Sequence, residues 1–376
     1  MSLRTALRAG ALASAGFLMV AGVGPAAASS PSWRIVQVFG APDFPNMQGL
    51  ATSGAANAWM AGGDAFSLVV KRWDGSQWQP VTPPSGFANT TASINCFVAG
   101  TSGPGNTWFF PSRDSTYYGL RWDGSAWTKF RLSSTNQVLG TAVFSRTNVW
   151  EFGAKPGSGL GFGPAWVLRF NGSTWRQVSV PGTPVNVSPA TASDIWALGP
   201  TAATVNNNPQ VIIAMHWNGR SWRSISLPRL TPVSGHAWVP VAVLGQGPAS
   251  AWVEEIPAAT LGGGSPPPPG LWLLHWNGSA WTKVLHDGTH NYSPDLASDG
   301  NSGLWLTGFN STTLAYSFVH FAGGLLTRTA VPSQAGFVAS AGNLTLIPGT
   351  TSLWALGSLT PTGPGSTESD ILKFGN

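Results

Sequence analysis

The sequence is poor in charge and in cysteine. Only 9% of its 376 residues are Asp, Glu, Lys or Arg, and the chain contains one Cys. A single Cys excludes an intramolecular disulfide, so the fold has to be stabilised by packing. Cys96 lies in the apolar stretch 94–98, which predicts a buried, inert thiol rather than a nucleophile.

Basic residues are too scattered for a nucleic-acid surface. The chain has 19 Lys and Arg against 14 Asp and Glu, and no cluster of Lys or Arg occurs along it. We therefore expect no nucleic-acid partner. The 47 Gly and 30 Pro indicate a fold with many turns.

The first 28 residues have the composition of a bacterial secretory signal peptide. Arg4 and Arg8 precede an apolar run over residues 9–23, and three small residues follow at 26–28. The run is short for a membrane span, although a retained N-terminal anchor is the alternative. We expect a mature chain over residues 29–376 that is secreted, extracellular or cell-wall associated, and without a membrane span.

A hairpin motif recurs along the rest of the chain, where no stretch has the 3.6-residue period of an amphipathic helix. The motif is an aromatic residue followed by Asp or Asn and then Gly. Full copies begin at Trp73, Trp122, Phe170, Trp217 and Trp276, and degraded copies begin at Phe321 and Phe374. Asp-Gly and Asn-Gly between apolar residues are the strongest short-range signal for two strands joined by a turn.

A second aromatic series alternates with the first. Its members are Trp59, Trp108, Trp150, Trp196, Trp252, Trp305 and Trp354. Each unit is therefore predicted to hold four short strands. In the fourth unit these strands contain residues 187–190, Trp196, Trp217 and Trp222. Seven such units predict an all-β fold, a seven-bladed β-propeller of four-stranded antiparallel blades.

The two ends of the mature chain complement each other. The stretch that begins at Trp33 matches the fourth strand of the other units, such as the one at Trp222. The last unit stops after its third strand, at Phe374. We expect the N-terminal strand to complete the last blade, which removes an open sheet edge. Most of the 20 Trp are then predicted to pack between blades.

The motif resembles that of secreted bacterial β-propellers of the Asp-box (BNR) and Kelch-like kind. Asp74-Gly75-Ser76-Gln77-Trp78 and the copy at 123–127 keep the Gly and Trp of the Asp-box, although Asp directly precedes Gly. The resemblance covers the mature chain and implies a propeller fold, with the motif as a structural turn. The motif of this chain is also similar to the Trp-Asp-Gly-x-x-Trp hairpin of fucose-binding propeller lectins. Those lectins place a Glu shortly before the hairpin.

This chain instead has a basic or protonatable residue directly before the first aromatic. The series is Arg72, Arg121, Arg169, His216, His275, His320 and Lys373. One interpretation is a ring of positive charge that binds a polyanion. The interpretation that we favour is structural: each side chain hydrogen-bonds the turn between the first two strands while its stem covers an aromatic ring.

Candidate ligand-binding residues are those that interrupt the repeat near the loop face, where the second and third strands and successive blades are joined. Glu151 replaces an Ala, and Glu254 and Glu255 replace Leu and Gly of the fourth unit. His290 is one of two closely spaced histidines in a predicted loop. A carboxylate pair could act as acid and base in glycan cleavage, but no complete catalytic set is recognisable.

We therefore predict a monomeric, non-enzymatic binding or scaffold protein that recognises an extracellular polysaccharide or a surface protein through one propeller face. No cofactor or metal is expected. The alternative is a propeller-fold carbohydrate-active enzyme, a glycoside hydrolase or a lyase, that uses Glu151 or Glu254. A structural component of the cell envelope is a third possibility.

Overall fold

The computed structural model describes residues 30–40, 46–63, 66–91, 93–133, 135–157, 162–202, 211–258, 266–313 and 315–375. The predicted signal peptide lies outside the described residues. The chain divides into two units, Met1–Pro31 and Ser32–Asn376, and the strands found in the described residues belong to the second unit. Among the described residues no helix is long and apolar enough to cross a membrane.

Twenty-eight strands form the second unit. The N-terminal strand is β1 (Trp33–Phe39). Blade 1 contains β2 (Asn46–Gly54), β3 (Asn57–Gly63), β4 (Leu68–Trp73) and β5 (Trp78–Pro80). Blade 2 contains β6 (Ile94–Thr101), β7 (Thr107–Arg113), β8 (Thr116–Trp122) and β9 (Trp127–Ser133). Blade 3 contains β10 (Gln137–Ser145), β11 (Asn148–Ala154), β12 (Ala165–Phe170) and β13 (Trp175–Val178).

The remaining strands follow the same order. Blade 4 contains β14 (Asn186–Thr191), β15 (Asp194–Pro200), β16 (Ile212–Trp217) and β17 (Trp222–Ile225). Blade 5 contains β18 (Trp238–Gly247), β19 (Ser250–Pro257), β20 (Leu271–Trp276) and β21 (Trp281–Asp287). Blade 6 contains β22 (Asn291–Ser298), β23 (Leu304–Phe309), β24 (Tyr316–Ala322) and β25 (Leu325–Ala330). Blade 7 contains β26 (Phe337–Leu346), β27 (Leu353–Pro361) and β28 (Glu368–Phe374).

These strands form seven four-stranded antiparallel sheets arranged as a ring, and β1 is the fourth strand of blade 7. The predicted fold and its closure by the N-terminal strand are confirmed. Trp33 pairs with Phe374, and this register matches that of the other hairpins, where Trp73 pairs with Trp78. The first strands of neighbouring blades contact each other around the whole ring, including β2 with β26.

The repeated Asp or Asn shapes the turn between the third and fourth strands. The Oδ1 atom of Asp123 accepts the backbone N–H groups of Ser125 and Ala126 at 2.9 and 2.8 Å. Gly124 between them has φ of +109°, a conformation that strongly favours Gly. The side chain thus satisfies backbone donors that the turn would otherwise leave without partners.

The second aromatic series forms the core between blades. Trp59, Trp108, Trp150, Trp196 and Trp354 are fully buried. Each contacts a neighbouring blade: the ring centroid of Trp150 in blade 3 lies 5.2 Å from that of Trp217 in blade 4. Such ring pairs add to the free energy of apolar burial. Cys96 is 1% exposed, and burial raises its pKa to about 12, which confirms an inert thiol.

The basic series covers these Trp rings in six of the seven blades. Arg72, Arg169 and Lys373 lie 5.5, 5.0 and 5.5 Å from the ring centroids of Trp59, Trp150 and Trp354. The rings of His216, His275 and His320 lie 4.3, 4.4 and 4.5 Å from those of Trp196, Trp252 and Trp305. Several also bond the first turn, as predicted: the Nε–H of Arg169 donates to Asn148 Oδ1 at 3.0 Å. These contacts confirm the structural interpretation of the series.

Candidate ligand-binding surface

Glu151 lies on β11 and points toward blade 2, because its neighbours Trp150 and Phe152 both contact blade 4. It is 0% exposed, and within the described parts of the chain neither carboxylate oxygen has a hydrogen-bond partner. Burial raises the pKa of Glu151 well above its usual value, because a low-dielectric environment favours the neutral form of a carboxyl group.

Glu254 lies on β19 and points toward blade 6. Its Oε2 atom accepts the backbone N–H of Asp295 at 3.3 Å, and the residue is 0% exposed. Burial and the nearby Asp295 carboxylate raise the pKa of Glu254 well above its usual value. The Asp295 carboxylate in turn accepts the backbone N–H of Leu344 at 3.1 Å. These two acids therefore join blades 5, 6 and 7 close to the centre of the ring.

Glu255 is also a strand residue, because β19 extends to Pro257. Its side chain alternates with that of Glu254 and therefore faces blade 4. It is 3% exposed. Burial raises the pKa of Glu255 to about 7, although the Lys283 ammonium group opposes this rise. The group is thus partly charged at neutral pH.

Three aromatic rings lie on this same face of blade 5. In the strand register, Glu255 pairs with Trp272, which pairs with His286. The His286 ring stacks on Trp272 at 4.6 Å, and Trp238 contacts both edge-on at 6.4 and 5.7 Å. Trp238 and Trp272 are half-buried and His286 is exposed. We call Trp238, Trp272 and His286 the blade-5 aromatic patch.

Local contacts hold the patch in place. The indole N–H of Trp238 donates to the Thr231 carbonyl at 3.0 Å in the segment that joins blades 4 and 5. A Cβ at Gly270 would lie 2.7 Å from the Trp238 ring, so only Gly allows this approach. The ammonium group of Lys283, which is exposed, lies 5.6 Å from the Trp272 ring centroid. The patch is therefore preformed and has a cation beside it.

His290 belongs to a hydrogen-bonded network at the junction of blades 5 and 6. Its Nδ1 atom lies 2.8 Å from Asp287 Oδ2, which also accepts from the Tyr292 hydroxyl at 2.6 Å and from Arg328 Nη2 at 3.2 Å. Burial acts to raise the pKa of Asp287, but hydrogen bonds from Thr289, Tyr292 and His290 outweigh it and hold the pKa well below its usual range. Asp287 is therefore an ion that orients His290.

The four predicted residues do not form one catalytic cluster. Glu151 is in blade 3, Glu254 and Glu255 are on opposite faces of blade 5, and His290 precedes blade 6. Sequence analysis missed Trp238 and Trp272. The available signal was their departure from the repeat, since they do not belong to either recurring aromatic series.

The centre of the ring holds a cavity of about 740 Å³ lined by the first strands of all seven blades. Bulges place Phe97, which is 49% exposed, and Asp295 at its wall. Within the described ranges, no group of three or more His, Cys, Asp or Glu side chains is placed to hold a metal ion. The cavity is thus open but has mixed, mostly uncharged walls.

Three solved structures illustrate what the chain is similar to. A catalytically inactive virginiamycin B lyase from Staphylococcus aureus, solved with quinupristin, is 12% identical over 92% of this chain and 100% of the lyase, with a TM-score of 0.58. YCF48 bound to D1 peptide is 14% identical over 91% of this chain and 96% of that protein, with a TM-score of 0.56.

The third structure is an ulvan lyase, a polysaccharide lyase bound to a glucuronate–rhamnose-3-sulfate fragment. It is 11% identical over 90% of this chain and 95% of the lyase, with a TM-score of 0.51. At these identities the similarities show the fold alone. No protein-family model and no curated protein sequence matches the chain.

Proposed function

We propose that this β-propeller is a secreted binding protein that recognises an extracellular glycan through the blade-5 aromatic patch. The observation that carries the proposal is a cluster of three partly exposed rings that pack together on one face of blade 5, whereas Trp166, which occupies the Trp272 position in blade 3, is buried. Glu255 adjoins these rings at a position that holds Gly153, Gly199 and Gly308 in blades 3, 4 and 6. Departures from a repeat in one place are expected where the repeat has been adapted to a ligand.

A glycan fits the chemistry of the patch. Aromatic rings pack well against the apolar C–H faces of sugar rings and offer large contact area with little loss of side-chain entropy. Polar groups at the edge of the patch, the His286 ring and the Lys283 ammonium, can then bond hydroxyl groups. Because the rings are already packed against one another, little ordering is needed on binding.

The fold is compatible with such a role. Among similar propellers, the ulvan lyase was solved with a glycan fragment and YCF48 with a peptide. These cases show that similar propellers bind ligands of different classes, so the class of ligand has to be argued from the residues of this chain. A surface protein is the other partner considered above, and protein interfaces also combine aromatic residues with a polar rim, so the binding experiment below includes a wall-protein fraction.

A role without catalysis is favoured by the burial of the candidate acids. Glycoside cleavage requires an acid and a base in contact with the scissile bond. Glu151 and Glu254 are both 0% exposed, and each is enclosed between two blades. A polymer substrate has no access to either group in this arrangement.

The first prediction concerns Trp238. In Trp238→Ala we expect affinity for the bound glycan to fall at least tenfold, because the ring supplies stacking area and anchors the neighbouring loop. Trp127→Ala is the matched control: Trp127 is also half-buried, and its indole N–H also donates to a loop carbonyl, that of Thr82 at 2.8 Å. Binding is measured on a glycan array and then by calorimetry.

Thermal melting of both variants separates binding from folding. Equal loss of glycan binding in both variants, or retention of full affinity in Trp238→Ala, would contradict the role of the patch. Binding of a wall-protein fraction in place of every glycan would contradict the ligand class. Secretion is tested by recovering the chain from culture medium and determining its first residue.

A further inference from the structure

We propose that the glycan is anionic and carries carboxylate, sulfate or phosphate groups that lie beside Lys283. This inference rests on the proposed function and adds the charge of the ligand. The cation beside the patch is at the surface: Lys283 is exposed and already lies over the Trp272 ring, and the imidazoles of His286 and His290 are exposed near it. A sugar on the patch would therefore meet a fixed positive charge.

The acids of the same region lie inside the protein. Glu254 and Glu255 are 0% and 3% exposed, and Glu254 faces blade 6, away from the patch. The side chain of Asp287 is 13% exposed, and its charge is balanced by the donors of Arg328 and its other partners. No carboxylate of blade 5 thus presents an open negative charge that would repel an anionic ligand.

Exposed carboxylates occur on the opposite side of the ring. Asp74 and Asp123 are exposed or lie in exposed turns between third and fourth strands. These turns are at the far end of the strands from the loops that join successive blades. The open acids of these turns therefore lie away from the patch, and the exposed Asp114, which is at the same end of the strands as the patch, belongs to blade 2.

His290 offers a second contact. Its Nδ1 atom is held by Asp287, so Nε2 is the ring nitrogen available to a ligand, and the side chain is 49% exposed. His286 and His290 frame the short loop between blades 5 and 6. An acidic sugar chain that extends from the patch toward blade 6 would pass from Lys283 to His290.

Matched probes test the charge directly. An oligogalacturonide is compared with its carboxyl-reduced counterpart, and dextran sulfate with dextran, by calorimetry at low and high salt. We expect the acidic member of at least one pair to bind at least tenfold more tightly, with an advantage that shrinks as salt rises. In Lys283→Gln the affinity for that acidic probe should fall about three- to fivefold, as for one exposed ion pair, and the affinity for the neutral probe should fall less, because a Gln side chain can still bond hydroxyl groups.

Lys129→Gln is the control, because Lys129 is also exposed, is also on a fourth strand and also lies over a ring, that of Phe87 at 5.9 Å. Equal binding of acidic and neutral probes would overturn the inference and leave the proposed function intact. An equal loss in Lys129→Gln would also overturn it. Failure of the wild-type protein to bind any glycan would contradict both the proposed function and the anionic ligand. The two pairs distinguish carboxylate from sulfate.

Discussion

Replacing Trp33 by alanine should lower the free energy of unfolding by about 3 to 5 kcal/mol, the cost of emptying a large aromatic site in a core. Trp33 is 6% exposed. Its ring stacks on Phe318 at 3.7 Å and contacts Trp305 edge-on at 5.5 Å. These partners belong to blade 6, while the strand of Trp33 belongs to blade 7. The substitution therefore weakens the last blade and its packing on the blade before it.

Trp222→Ala is the comparison, because Trp222 occupies the same position in blade 4 but is only half-buried. We expect it to cost less than Trp33→Ala in chemical denaturation. Hydrogen exchange adds a local readout: faster exchange in β28 is expected for Trp33→Ala and in β16 for Trp222→Ala. If the two variants lost the same stability and showed the same exchange rates in β28, a specific contribution of Trp33 to the closing blade would be contradicted.

The second large effect is an unusual dependence of stability on pH. Burial raises the pKa of Glu255, Asp295 and Asp370 to about 7, and raises those of Glu151 and Glu254 well above the usual value. In the unfolded chain such groups lose their protons near pH 4. The folded state therefore binds more protons between pH 5 and 7, and its stability falls as pH rises through this window.

Other titratable groups do not reverse this fall in stability with rising pH. Hydrogen bonds lower the pKa of Asp123 to about 2, so its contribution is present at and above pH 5 and is lost only in stronger acid. Burial lowers the pKa of His275, which acts in the opposite direction but involves one group. We expect the free energy of unfolding to be lower at pH 8 than at pH 5 by several kcal/mol, since a shift of one pKa unit corresponds to about 1.4 kcal/mol.

Asp370→Asn isolates one group. Asp370 is 1% exposed, and in the described chain neither of its carboxylate oxygens has a hydrogen-bond partner. We expect the variant to be more stable than wild type at pH 8 and no more stable at pH 5, as measured by denaturation at both values. Asp123→Asn is the control, since Asn occupies the same turn position at Asn171. A pH dependence of Asp370→Asn identical to wild type would contradict a raised pKa.

The fold was predictable because its signals are local and repeated. Each Asp-Gly or Asn-Gly turn specifies a hairpin by itself, and the five full and two degraded copies of the motif together set the number of blades. The closing strand was predictable because the stretch at Trp33 matches Trp222 and its neighbours. The basic series was predictable for the same reason. Arg169 and His320 occupy the same position in the repeat, directly before the third-strand aromatic residue.

The candidate site was less predictable, because it depends on which face of a strand a side chain occupies. Glu254 and Glu255 are adjacent in sequence, yet alternation along β19 directs them to different blades. The Pro-rich sequence of residues 255–270 is typical of a loop, but β19 continues through Glu255 to Pro257. Trp238 and Trp272 meet only through strand pairing, and a search for charged residues that break the repeat did not include them.

The pairing of Trp33 with Phe374 also indicates that the chain can be circularly permuted. In blade 1 the equivalent pair, Trp73 and Trp78, is linked by a four-residue turn. A turn of that kind inserted between Phe374 and Trp33 would make the polypeptide continuous at this point, and a cut in any loop between blades would then generate a circular permutant. Because every blade would keep its four strands, such permutants should assemble the same ring from a different starting blade.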